Sequence, residues 1–131
     1  MRRRATALLV AALALASCGG NDKKDAERTV REFVKATSQR DADKYCDHLV
    51  TQAFLEQTTL ATGRRARDAC KKQLRALKGV SIRLADIRKT EVHGDHARVL
   101  ALLEARGQSR PQLLRLRKEG GDWRIAGASG R

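Results

Sequence analysis

The hydrophobic period of this chain changes once, at Gly79, and that change restricts the fold more than any other feature. Before it, apolar residues recur every three or four positions; after it, they alternate. The first spacing gathers apolar side chains into one stripe of a helix, and the second lays them on one face of a strand. Helices first and a run of strands afterwards predict an α+β fold, with N-terminal helices packed on a four-stranded antiparallel sheet.

The first helix is predicted over residues 25–38, where Ala26, Val30, Phe33, Val34 and Thr37 share one side. Asp41 reads as the N-cap of a short second helix carrying Tyr45, Cys46 and Leu49. A third piece over 52–57 tucks in Phe54 and Leu55, and 58–63 has turn chemistry. A longer helix over 64–77 turns Ala66, Cys70, Leu74 and Leu77 inward, with Gly79 as a left-handed cap. Arg64, Arg67, Lys71, Arg75 and Lys78 fall on its other side as a basic stripe. Such a stripe is most simply a solvated face; the sharper reading is a site for polyanions or lipid headgroups.

Val80, Ile82, Leu84 and Ile87 then predict a long first strand, bulged near Ala85–Asp86 where the alternation slips by one. His93-Gly94-Asp95 is a hairpin turn, and 96–104 forms a second strand with Ala97, Val99, Ala101 and Leu103 on one face. Residues 105–110 read as a polar connection, and Pro111 opens a third strand through Leu114 and Leu116. Gly120-Gly121-Asp122 turns the chain into a last strand around Trp123, Arg124 and Ile125. There is no internal repeat and no low-complexity segment.

The N-terminus carries an address. Arg2-Arg3-Arg4 precedes an apolar run from Ala5 to Ala16, and Leu15-Ala16-Ser17-Cys18 closes it. Positive charge, a short apolar stretch and small residues describe a secretory signal peptide, and about a dozen apolar residues is too short to span a bilayer. Leu15-Ala16-Ser17-Cys18 resembles the lipobox of bacterial lipoproteins. That resemblance implies a signal peptide over 1–17 and a diacylglycerol thioether on Cys18 as the mature N-terminus. One acyl chain holds only marginally, whereas two or three on one cysteine anchor permanently. The plainer alternative is a secreted protein with a chance cysteine at the cut. Residues 18–24 read as the lipidated end and a flexible tether, and 25–131 as one domain.

The compartment fits the remaining composition. Losing Arg2, Arg3 and Arg4 lowers the net charge from +13 to about +10. Nucleic acid is the usual partner of such a charge, but an exported chain meets anionic lipids and wall polymers instead, and no aromatic residue interleaves the basic stripe. Arginine in excess of lysine, with abundant alanine and leucine, is typical of GC-rich genomes such as actinobacteria. With Cys18 committed to lipid, Cys46 and Cys70 remain as an even pair in an oxidising compartment. A bridge between them stabilises by ~3 kcal/mol on the chain-entropy estimate; the alternative is two buried free thiols.

Several segments resemble small exported domains of the nuclear-transport-factor-two-like family. They are Val30-Arg31-Glu32-Phe33-Val34-Lys35-Ala36 with Asp41 and Cys46-Asp47-His48-Leu49, then Val92 to Val99, and Gly121-Asp122-Trp123-Arg124-Ile125. The resemblance implies a cone-shaped α+β roll, a curved sheet wrapping helices around a pocket. It also implies that the paired cysteines recur, as they do in this family's actinobacterial lipoproteins. The superfamily spans isomerases, cyclases, dehydratases and domains with no chemistry, so the fold leaves the activity open.

Its enzymes place an acid–base residue inside the cone, for which Tyr45, Asp47, His48 and Asp86 are the candidates here, without a matching catalytic motif. Tyr45, His48, Phe54 and Trp123 are the candidate pocket residues; Tyr45 is more simply a core residue with its hydroxyl near the pocket rim, and Trp123 a packing residue at one end of the sheet. His93, Asp95 and His96 sit in and beside a tight turn, which suits no metal, and no cofactor motif is present. The leading reading is a membrane-anchored, non-catalytic accessory domain that binds a small ligand or an envelope partner. Its rival is a small enzyme acting on a lipid- or polyketide-like molecule.

Overall fold

The computed structural model describes residues 19–79 and 81–130. The predicted signal peptide over 1–17, the lipidation site Cys18 and the strand residue Val80 lie outside the described residues. Helix α1 spans Gly19–Gln39, followed by a single turn α2 (Ala42–Lys44), a π-helical turn Tyr45–Leu49, α3 (Gln52–Thr59) and α4 (Gly63–Ala76). Four strands follow: β1 (Arg83–His93), β2 (His96–Ala105), β3 (Gln108–Glu119) and β4 (Asp122–Gly130). They form one antiparallel meander in the order β1-β2-β3-β4. The α+β class and four-stranded sheet are those the change of period predicts.

The helices cover one face of the sheet. Val99 and Ala101 of β2, Leu114 and Leu116 of β3, and Ile125 of β4 meet Ala26 and Val30 of α1, Val50, Leu55 of α3 and Ala66 of α4 in one apolar cluster. Val30, Val99 and Ile125 are completely buried. The cone is therefore filled with aliphatic side chains along this line. The free edge of β4 is covered by Val50, which bridges Ile125 in parallel, and Thr51 donates its backbone N–H to the Ile125 carbonyl at 2.9 Å.

The alternation slip near Ala85 is a bulge: the β1–β2 register shifts between Leu84 and Asp86, and again between Ile87 and Lys89. The cysteines are bridged, with Cα atoms 6.1 Å apart, which ties the π-helical turn to α4.

Four boundaries differ from expectation. The tether expected over 18–24 is helical from Gly19, because Asp22 in its first turn is held at 2.9 Å by Lys118 of β3. Helix α4 stops at Ala76 instead of Leu77; Leu77 is extended and exposed, and its carbonyl accepts from Arg40 at 2.7 Å. Gly79 does have a left-handed φ of 73°, but beyond the cap. The first strand begins at Arg83, preceded by Ile82, whose N–H donates to the Ser38 hydroxyl at 2.9 Å. Finally, the connection expected over 105–110 is a two-residue turn, since Arg106 and Gly107 both take positive φ, as a tight hairpin requires. Pro111 consequently lies inside β3. It sits past the last β3–β4 pair, Gln112 with Gly130, so the strand has one neighbour there and tolerates the missing N–H.

Candidate functional site

At one end of the molecule, the β3–β4 turn approaches α1 and the π-helical turn. Between them lies a cleft of about 510 Å³. Asp25, Arg28, Thr29 and Glu32 of α1 form one wall, Lys44, His48 and Leu49 a second, and Gly121 to Arg124 the third. The positions of Asp25, Arg28, Thr29 and Glu32 follow from helical spacing, which puts them on adjoining ridges. Thr29 joins two walls: its buried hydroxyl lies 3.1 Å from the Asp25 carbonyl and 3.3 Å from that of Trp123.

Most charges here are matched. Arg28 stands 3.3 Å from Asp25 and Lys44 4.0 Å from Glu32. Arg124 donates from its Nη1 to the carbonyls of Asp47, at 2.9 Å, and Val50, at 3.5 Å. Two donors are left over. The indole Nε1 of Trp123 and the Nε of Arg124 are buried and meet no acceptor among the described residues. Trp123 is 5% exposed, so its N–H has given up water without a replacement. On the ring itself, the Lys118 ammonium stands 5.7 Å from the centroid.

The four sequence-predicted pocket residues do not converge. His48, exposed, and Trp123 line this cleft. Tyr45 and Phe54 line another, of about 210 Å³, with Thr58, Thr59, Cys70, Gln73, Leu74 and Leu77. The π-helical turn separates them, and sequence periodicity, which predicts α geometry there, gives no sign of it. Tyr45 packs on Phe33 with ring centroids 5.1 Å apart, and burial pushes its phenol pKa up. Asp86 pairs with Arg88 at 3.2 Å on the solvent side of β1. Among the described residues the buried polar side chains are threonines: Thr29, Thr51 and Thr90. His96 pairs with Asp95 at 3.2 Å, and no cluster of three metal-ligating side chains occurs among the described residues.

The basic stripe of α4 faces acids of the same chain. Lys71 reaches Asp47 at 2.9 Å and Asp43 at 3.4 Å; Arg75 reaches Asp43 at 3.3 Å; Arg67 stands 4.0 Å from Asp47. The hydrogen bond to Asp47 is the main reason the Lys71 ammonium holds its proton above the usual lysine range. Arg64 and Lys78 make no ion pair among the described residues, so three of the five cations of the expected polyanion face are paired internally. What sequence reasoning missed in the cleft is α1: Asp25, Arg28 and Glu32 carry no motif that singles them out. Asp122 was legible only as a turn residue.

No protein-family model and no curated protein matches this sequence. Solved structures do. A nuclear-transport-factor-two-like protein of unknown function from Silicibacter pomeroyi superposes with a TM-score of 0.58 at 18% identity, over 86% of this chain and 96% of that one. A putative scytalone dehydratase from Novosphingobium aromaticivorans superposes with a TM-score of 0.50 at 19% identity, over 85% of this chain and 83% of that one. This chain has the nuclear-transport-factor-two-like fold.

Proposed function

We propose that this protein is an exported, lipid-anchored binding domain without catalytic activity, which holds a small acceptor-bearing ligand in the cleft at Trp123. The observation that carries the ligand reading is that Trp123 and Arg124, which line the cleft, each hold a buried donor, Nε1 and Nε, without an acceptor among the described residues. A carbonyl, carboxylate or ether oxygen would satisfy either donor, and buried donors left unmatched cost about 1–3 kcal/mol each. The anchor reading rests on the N-terminal sequence: Arg2 to Arg4, the short apolar run and Leu15-Ala16-Ser17-Cys18. The absence of catalysis is supported by the separation of Tyr45 from His48 and by a core whose buried polar side chains, among the described residues, are threonines.

Native mass spectrometry of the chain purified from a bacterial envelope tests this. A retained oxygen-bearing molecule, lost in Trp123→Phe, is the expected result. Because Trp123 is the single tryptophan of the sequence, its fluorescence reports rebinding at the cleft directly. A clean protein mass, with fluorescence unmoved by an extract of envelope small molecules, would overturn the ligand reading. Conversion of the retained molecule on incubation would overturn the non-catalytic one.

A further inference from the structure

The solvent-facing side of the sheet carries a concentration of positive charge that the register alone creates. Arg98 of β2 stands directly opposite Arg115 of β3, His96 opposite Arg117, and Arg117 opposite Arg124 of β4. Like charges in directly opposed positions destabilise an antiparallel pair. Nearby acids answer only the β2 members: Glu91 lies 3.1 Å from Arg98, and Asp95 lies 3.2 Å from His96. Arg115 and Arg117 have no ion pair among the described residues, and both are exposed.

Arg115 is nonetheless placed. The β3–β4 register slips between Arg115 and Leu116, and Gly127 takes the position opposite Arg115. A Cβ on Gly127 would stand 2.4 Å from an Arg115 terminal nitrogen and 3.1 Å from its guanidinium carbon. The guanidinium therefore occupies the space that a side chain on Gly127 would need. Arg98, Arg115 and Arg117, with His93, His96 and Gln57, line a cavity of about 430 Å³.

We propose that this cavity binds a phosphate-bearing anion, held between Arg115 and Arg117. Two guanidiniums without carboxylate partners on adjacent positions of one strand face match a doubly charged oxyanion. Their planar donor forks suit phosphate geometry. The anion also relieves the cross-strand repulsion. This site is separate from the Trp123 cleft and stands whether or not that cleft binds a ligand. It is also distinct from the α4 stripe, where Asp43 and Asp47 already pair with Arg67, Lys71 and Arg75.

The test uses the full chain in zwitterionic nanodiscs, with arginine Nε resonances followed by NMR. One arm adds inorganic phosphate; the other exchanges part of the lipid for phosphatidic acid. The expected result is saturable movement of Arg115 and Arg117 in at least one arm. Response to inorganic phosphate assigns a soluble phospho-anion, and response only to phosphatidic acid assigns a headgroup. Arg115→Gln with Arg117→Gln should weaken binding by about tenfold or more, as loss of charge-assisted hydrogen bonds does. Arg64→Gln, which removes charge elsewhere, should leave it within about twofold. The double variant should melt no lower than the parent, since it removes repulsion, so loss of binding cannot be ascribed to unfolding. Gly127→Ala, which displaces the Arg115 guanidinium without changing charge, should weaken binding as well. Non-saturating shifts in both arms, or equal losses in the sheet and α4 variants, would overturn the proposal.

Discussion

Tyr45 is a side chain at the margin of the core whose environment can be measured cleanly. Its ring packs on Phe33, and burial raises its phenol pKa above the ordinary value near 10. The folded state thus favours the neutral phenol. Its contribution to stability is complete below the ordinary phenol range and is lost as pH rises through the raised folded value. As this is the single tyrosine of the sequence, tyrosinate absorbance reports it alone. The titration should be displaced upward in the folded protein and return to the ordinary range in urea. Tyr45→Phe should abolish the signal and flatten part of the fall in melting temperature at alkaline pH. An undisplaced midpoint would place the hydroxyl in water.

At the scale of elements, the π-helical turn is the junction. It sends Cys46 into the disulfide and Asp47 toward Lys71 and Arg67, so it binds α4 twice. Cys46→Ala with Cys70→Ala should lower stability by ~3 kcal/mol, the chain-entropy value for a loop of 24 residues, read as a shift in the urea midpoint. A loss well below that would mean that packing of α3 and α4 already constrains the unfolded loop. The even pair of cysteines was legible from counting. The carboxylates opposite the α4 stripe were not. Asp43 and Asp47 are four apart in sequence, and nothing in that spacing shows that α4 is laid against them.

For the whole molecule, the filled cone sets stability. Leu114 is 1% exposed at the centre of the sheet, and Leu114→Ala should cost about 2–5 kcal/mol in equilibrium unfolding. A smaller cost would indicate that the neighbouring apolar side chains collapse into the gap. The anchor makes its own prediction at this scale. Cys18→Ser should eliminate incorporation of a labelled fatty acid and move the protein out of the membrane fraction, because no acyl chain then holds it. Membrane retention by the unlabelled variant would assign attachment to the protein surface instead.

Apart from the π-helical turn, the sequence by itself determined the kind of each element, the bulge at Ala85 and the change from helix to strand, because hydrophobic period acts locally. It also supplied the even pair Cys46 and Cys70, and the N-terminal pattern from Arg2 to Cys18 on which the proposed anchor rests. Only the tertiary structure decided which polar groups meet. Arg115 faces Arg98 through strand register, a single slipped residue seats its guanidinium on Gly127, and α1 meets β4 where the Thr29 hydroxyl reaches the Trp123 carbonyl. Those meetings join residues far apart in the chain, and register, unlike period, is fixed by the packing of both strands together.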